Sequence, residues 1–167
     1  MPASEGFLAR NEEFVASHEP ASLPPMPRLG AVIVSCIDWR VDPAHFAGLE
    51  LGEAFVLRVL GGRVTETVAA QIVAADGLSR LHGDPLEEIV VIHHTGCGTA
   101  AFADRDLAER VADGVGLSAD DLQAIAVDDP RRTVAHDVAL LAGRTDLDAA
   151  VSGLIYDLDD GRLTRVV

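Results

Sequence analysis

Apolar residues along the chain form short, nearly continuous runs, separated by longer segments in which they recur at helical spacing. The runs cover Ala31–Val34, Ala54–Leu60 and Glu88–Ile92, and their β-branched content is typical of strands buried on both faces. Between the second and third runs, Thr65–Leu81 has the capping residue and the spacing of a helix. Strands that alternate with helices predict a parallel sheet flanked by helices, with right-handed crossovers.

The remaining segments complete this α/β pattern. Further helices are expected over Glu5–Ser17, from Asp42-Pro43, from about Thr99, and from Asp129-Pro130 to about Gly143. The tail Val151–Val167 has the pattern of a hairpin. We therefore expect one domain over residues 1–167, with about four parallel strands and a C-terminal antiparallel strand. Residues 1–27 would form an N-terminal helical arm and a stiff linker with four prolines between Glu19 and Pro27.

Composition narrows the classes of partner. Hydrophobic residues make up 49% of the 167 residues, which excludes a disordered chain. The formal net charge of −14 repels phosphate backbones and anionic lipids, so neither nucleic acid nor a membrane surface is an expected partner. The chain shows no signal-peptide pattern and no apolar stretch of membrane-spanning length. We expect a cytoplasmic protein that acts on a small molecule.

Chemically active side chains follow two of the buried runs. Cys36, Asp38 and Arg40 come directly after the first run, and they share one face if the chain stays extended there. His94 and Cys97 come directly after the third run. Open parallel sheets bind ligands beyond the carboxyl ends of their strands. The two groups therefore meet in one crevice if the two strands are neighbours.

Two thiolates and one imidazole favour a metal site. Zinc prefers this soft ligand set in tetrahedral geometry, and a catalytic zinc keeps one position open. Asp38 can either bind as a fourth metal ligand or stay off the metal. Arg40, two residues later, can hold that carboxylate away by a charge-assisted hydrogen bond.

The motif Cys36-Ile-Asp-Trp-Arg40, followed by His94-Thr-Gly-Cys-Gly98, resembles the two-part signature of β-class carbonic anhydrases. The likeness extends from the proline linker to the C-terminal hairpin and is greatest to the short bacterial branch. The resemblance implies zinc held by Cys36, His94 and Cys97, with Asp38 and Arg40 as the catalytic pair. It also implies a homodimer, or a tetramer of two such dimers, in which the N-terminal helices embrace the partner subunit.

The resemblance further implies reversible, zinc-dependent hydration of carbon dioxide to bicarbonate through zinc-bound hydroxide. One departure bears on the substrate. Where the family has Arg-Asn-Ala-Gly, this chain reads Arg58-Val59-Leu60-Gly61, so an apolar pair stands near the expected active site. Hydrolysis of carbonyl sulfide or carbon disulfide with the same ligands is therefore an alternative. A non-catalytic zinc protein is a third interpretation.

Other interpretations of the same residues remain open at this point. The two cysteines could be inert buried thiols, and Asp38 with Arg40 could be a structural ion pair. His93 adjoins His94 and could be the ligand, although the family pattern requires the histidine three residues before Cys97. The stretch Gly96–Ala101 imitates a dinucleotide-binding fingerprint, but its position in mid-chain disfavours that function.

Overall fold

The computed structural model describes residues 2–18 and 23–167, and its centre is a five-stranded β-sheet. The spatial order is β2-β1-β3-β4-β5, with the first four strands parallel and β5 antiparallel to β4. This arrangement confirms the predicted fold. Residues 19–22, which hold part of the predicted proline linker, lie outside the described residues. The strands are β1 (Ala31–Cys36), β2 (Ala54–Val59), β3 (Glu88–His94), β4 (Ala150–Tyr156) and β5 (Leu163–Arg165).

The described part of the chain contains six α-helices. They are α1 (Ala3–Ser17), α2 (Pro43–Phe46), α3 (Glu66–Leu81), α4 (Arg105–Val115), α5 (Ala119–Ala124) and α6 (Pro130–Ala142). Two 3₁₀ helices cover Leu60–Gly62 and Gly98–Ala103. No helix among the described residues is long and apolar enough to cross a membrane.

The segment after Gly98 differs from the single helix that its sequence predicts. The chain forms the 3₁₀ helix first, and then α4 and α5 in succession. Two N-terminal caps divide this segment into separate helices. The side chains of Asp104 and Ser118 accept hydrogen bonds from backbone N–H groups in the first turns of α4 and α5. Gly116 ends α4 in a left-handed conformation (φ 70°) that other residues rarely adopt.

Helices α3 and α6 pack on one face of the sheet. Alternation along a strand places every second side chain on that face, where both central strands are apolar except for His93 near the end of β3. Their buried side chains form the main core with those of the two helices, and the set includes Val32, Val34, Ile89, Val91, Ile72, Val134 and Leu141. The carboxyl ends of β1 and β3 are thereby fixed side by side.

A buried ionic cluster ties this core to the chain that follows β2. The Asp137 carboxylate on α6 is inaccessible to solvent. It accepts two hydrogen bonds from Arg63, of 2.8 and 2.9 Å, and one of 2.9 Å from the backbone N–H of Val64. His93 Nε2 lies 3.3 Å from the same carboxylate and 3.2 Å from the carbonyl of Gly62. Because both of these neighbours are acceptors, Nε2 carries a proton.

The cluster keeps Asp137 charged despite its burial. Burial alone raises the pKa of this carboxyl group, but hydrogen bonds from His93, Arg63 and Val64 N–H outweigh it, so the net pKa is lowered. A carboxyl group with a lowered pKa in the folded state stabilises the fold at pH values above its unfolded pKa of about 3.9. That contribution is lost as the pH falls through the lower, folded-state pKa.

We expect Asp137→Asn to reduce the free energy of unfolding at pH 7 by about 3–5 kcal/mol, because it leaves Arg63 buried without its counter-charge. Urea denaturation measures the loss, and the gap from wild type should narrow below about pH 4. The control is Asp146→Asn, which removes the partner of Arg144 in a solvent-accessible ion pair and should change stability little. Equal losses in the two variants would contradict this role of the cluster.

Candidate metal centre

The predicted ligands come together at the carboxyl ends of β1 and β3. Cys36 is the last residue of β1, and His94 is the last residue of β3, one turn before Cys97. The two strands are adjacent and parallel, with Ala31 opposite Glu88 and Val34 opposite Val91. Neighbouring strands were the condition for one common crevice, and the structure meets it.

The three side chains are spaced as a tetrahedral zinc site requires. The Sγ atoms of Cys36 and Cys97 lie 3.9 Å apart, and both residues and His94 are buried. One ligand atom from each of the three residues lies within 4.8 Å of the other two. Two sulfurs bound to one tetrahedral zinc at about 2.3 Å would lie about 3.8 Å apart. The observed sulfur separation therefore fits zinc without rearrangement.

The imidazole of His94 presents a free lone pair. Its Nδ1 lies 2.9 Å from the carbonyl oxygen of Thr95, which can only accept, so Nδ1 carries the proton. Its Nε2 is buried and has no hydrogen-bond partner among the described residues. A buried nitrogen without a partner is costly, and a metal ion would satisfy it. This unsatisfied atom shows that the residues present fit a zinc ion.

The contact between the two thiols shifts their pKa values in opposite directions. The hydrogen bond between the sulfurs is the main factor that lowers the pKa of Cys97, to about 4, despite its burial. The same hydrogen bond, together with burial, raises the pKa of the Cys36 thiol. Cys97 is therefore the thiol that loses its proton more readily, and both sulfurs must be deprotonated to bind a metal ion.

Asp38 and Arg40 form a tight pair beside the sulfurs. Asp38 Oδ1 accepts hydrogen bonds from the backbone N–H (3.0 Å) and Nε (2.9 Å) of Arg40, and Oδ2 accepts one of 2.6 Å from Nη2. The guanidinium also donates to the carbonyl of Gly96 at 3.0 Å. These hydrogen bonds from Arg40 hold the pKa of Asp38 well below its usual range. Asp38 is not part of the group of clustered ligand atoms.

The backbone path of this pair differs from the extended path considered in the sequence analysis. The strand ends at Cys36, and the chain turns at Trp39 and Arg40. The turn lets the backbone N–H and side chain of Arg40 reach the same carboxylate, which a straight strand would not allow. Cys36, Asp38 and Arg40 therefore do not lie on one face of a continuous strand.

Arg58 is a site-forming residue that sequence reasoning missed. It lies on β2, next to the end of β1, and donates to the carbonyls of Cys36 (3.2 Å) and Asp38 (2.7 Å). It also pairs with the Asp42 carboxylate at 3.1 Å. These hydrogen bonds hold the segment that carries Asp38 and Arg40. An arginine inside an otherwise apolar strand was the signal that could have identified it.

A tight turn after β2 brings backbone close to the sulfurs. Gly61 and Gly62 both have positive φ values, of 69° and 67°. A Cβ on Gly62 would lie 3.0 Å from Cys36 N and from Ile92 O, and one on Gly61 would lie 2.6 Å from Ile125 O. Only glycine fits such approaches, so these two residues let the turn pack against the metal centre.

An apolar cavity of 190 Å³ opens beside the two sulfurs. Ile37, Leu60 and Phe102 supply its apolar walls, and Asp38 lines it as well. Val59 has a different position, because it packs against the main core under the sheet. Of the apolar pair that departs from the family pattern, Leu60 is therefore the residue that faces the site.

The adjacent histidine, His93, is hydrogen-bonded within the core and does not belong to the metal centre. Both ring nitrogens of His93 are occupied, with Nδ1 2.8 Å from Thr133 Oγ1 and Nε2 next to Gly62 O and Asp137. Because alternate residues of a strand point to opposite faces, His93 points away from His94. The structure therefore leaves His94 as the histidine that lies with the thiols.

Comparison with known proteins agrees with this geometry. The family model described as "Carbonic anhydrase" matches residues 31–136, more than half of the chain. β-Carbonic anhydrase 1 of Mycobacterium tuberculosis is 28% identical over 99% of both chains, and carbonic anhydrase 2 of that organism is 33% identical over 79% of this chain and 72% of its own. A carbonic anhydrase from Streptococcus mutans superposes with a TM-score of 0.85 at 34% identity, covering 100% of this chain and 99% of that one. The chain belongs to the β-carbonic anhydrase family.

Proposed function

We propose that this chain hydrates carbon dioxide reversibly to bicarbonate, with zinc held by Cys36, His94 and Cys97. The observation that carries the proposal is the buried, unpartnered Nε2 of His94 beside two sulfurs 3.9 Å apart. Family membership supports the same reaction. Zinc bound there would act as a Lewis acid and lower the pKa of a water molecule.

Asp38 is the group that orients the attacking water in this proposal. Its carboxylate is ionised and can only accept hydrogen bonds, and it offers about four lone-pair positions. Arg40 uses two positions on Oδ1 and one on Oδ2. A position on Oδ2 is left to accept a hydrogen bond from the water, which fixes the direction of that molecule. Arg40 also keeps the carboxylate from becoming a fourth metal ligand.

The apolar cavity is the proposed substrate position. Carbon dioxide is linear and has no net dipole, so walls made by Ile37, Leu60 and Phe102 suit it better than they suit bicarbonate. Product release is favoured for the same reason.

The apolar walls of this cavity also support a second candidate reaction, the hydrolysis of carbonyl sulfide. Sulfide release from carbonyl sulfide faster than carbon dioxide hydration, at equal substrate concentrations, would favour that second candidate.

A non-catalytic zinc protein is the less well supported alternative. Structural zinc sites close their coordination with four protein ligands, and here three ligand atoms cluster while the nearby carboxylate is engaged by Arg40. A purely structural site would also have no use for an adjoining cavity.

We also propose a homodimer, in which α1 packs on a second copy of the chain. None of the described residues of α1 is buried, although Phe7, Leu8, Phe14 and Val15 are large and apolar. An exposed apolar helix needs a partner surface to be stable in water.

A cytoplasmic location fits the two free thiols, which must remain reduced to bind zinc.

The ligand assignment predicts opposite results for the two adjacent histidines. His94→Gln should lose most of the zinc, because it removes the only buried imidazole nitrogen of the described residues that has no hydrogen-bond partner. His93→Gln is the matched control and should keep about one zinc per chain, even if it is less stable. Metal analysis of the purified dialysed proteins measures both. Zinc loss in His93→Gln with full occupancy in His94→Gln would contradict the assignment.

The catalytic pair predicts that Arg40→Ala lowers carbon dioxide hydration at least about 100-fold while zinc stays bound, because the carboxylate loses the donors that fix it. Stopped-flow hydration assays and metal analysis measure the two effects. Arg28→Ala is the control, since Arg28 is an ion-paired arginine of similar exposure, 43% against 39%, outside the site. Near-normal activity in Arg40→Ala, or loss of its zinc, would refute the role.

The assembly proposal predicts a particle of about twice the chain mass of 17.6 kDa in light scattering at micromolar concentration. Changing Phe7 and Phe14 together to Ser should raise the dimer dissociation constant at least about tenfold, because less apolar surface is buried. Leu117→Ser alters an exposed leucine elsewhere, 49% accessible, and should leave the dimer intact. A wild-type monomer would contradict the proposal.

A further inference from the structure

Thr99 places a hydroxyl group against one of the sulfurs. It lies two residues after Cys97, in the first turn of the 3₁₀ helix Gly98–Ala103, and is only 5% exposed. Its Oγ1 is 3.1 Å from Cys97 Sγ. A threonine hydroxyl in this position is a chemical feature of the site that neither the motif nor the catalytic pair requires.

The direction of this hydrogen bond follows from the chemistry of the sulfur. A cysteine that binds zinc does so as a thiolate, which has no proton to give. The hydroxyl of Thr99 must then be the donor, and Cys97 Sγ the acceptor. Gly61 lies next to the hydroxyl, and a Cβ at this glycine would be only 3.1 Å from Oγ1. The bare glycine therefore makes room for the hydroxyl.

The second sulfur is supported in another way. Cys36 Sγ accepts a hydrogen bond of 3.4 Å from the backbone N–H of Asp38, which any residue except proline could supply. The contact to Cys97 depends on a side chain, so one substitution can remove it and leave the backbone unchanged. This difference makes the Thr99 contact separately testable.

We propose that Thr99 is a positioning residue for the metal, whose hydroxyl fixes the orientation of the Cys97 thiolate and withdraws electron density from it. The inference rests on the proposed zinc site. A thiolate that accepts a hydrogen bond donates less charge to its metal ion, so the ion remains a stronger Lewis acid. Thr99 thereby sets both the affinity of the site and the electronic character of its metal.

The test uses cobalt(II) in place of zinc, since bonds from thiolate to cobalt give a charge-transfer absorption band in the near ultraviolet. Thr99→Val keeps the shape of the side chain and removes the donor, so this band should move to longer wavelength. Thr99→Ser keeps the hydroxyl and should return the band to the wild-type position. Thr133→Val is the matched control, because it removes another buried hydroxyl, only 2% exposed, that contacts His93 instead of a sulfur. Its band should not move.

Zinc affinity provides the second measurement. Competition with a chromophoric chelator should give a zinc dissociation constant about tenfold higher in Thr99→Val than in wild type, because the Cys97 thiolate loses the donor that fixes its orientation. Thr99→Ser should stay close to wild type. If Thr99→Val does not fold, Thr99→Ala serves in its place.

The possible results separate the two proposals. A wild-type protein that binds cobalt without a thiolate band would overturn the ligand assignment, and this inference with it. A normal wild-type band that stays unchanged in Thr99→Val, or moves equally in Thr99→Ser, would overturn the role of Thr99 alone.

Discussion

The parallel pairing of β1 with β3 is the constraint on which the rest of the site depends. It sets the ends of the two strands side by side, so that Cys36 and His94 meet although they are distant in sequence. The pairing is held in turn by the apolar side chains that both strands bury under α3 and α6. Since such a packed core resists small shifts, the ligand atoms keep their separation before any metal binds. The site is therefore preorganised by the core.

Arginines hold the segments around this site in a strongly acidic chain. Arg58 fixes the end of β1, Arg40 fixes Asp38, and Arg63 anchors the turn after β2 to Asp137. Each guanidinium contacts two or more groups at once, which a lysine ammonium could not do with the same planar geometry. Charge in this region thus serves to position backbone and carboxylates, and Asp38 is the only acidic or basic side chain among the residues that line the apolar cavity.

The sequence predicted the parts of this structure that depend on local pattern. Apolar runs predicted β1 and β3, and the residue types at their ends pointed to the two thiols and a histidine. Only the resemblance to the family favoured His94 over His93. Hydrogen bonds and contacts that depend on the folded backbone could not be predicted from the local sequence pattern. The carbonyl contacts of Arg58 depend on segments that meet only after folding. The turn at Trp39 and Arg40 and the contact of Thr99 with Cys97 are local, but they depend on backbone conformations that the residue types alone do not specify. The same holds for Leu60, whose position facing the cavity follows from the glycine turn next to it.

A crystal structure with anomalous data at the zinc edge tests the central claim most directly. The account predicts a single zinc per chain, about 2.3 Å from the sulfurs of Cys36 and Cys97 and about 2.0–2.1 Å from Nε2 of His94. At mildly alkaline pH, Asp38 should still be hydrogen-bonded to Arg40, and a water molecule should complete the tetrahedron. Zinc bound elsewhere, zinc bound through His93, or a disulfide between the two cysteines would contradict the account.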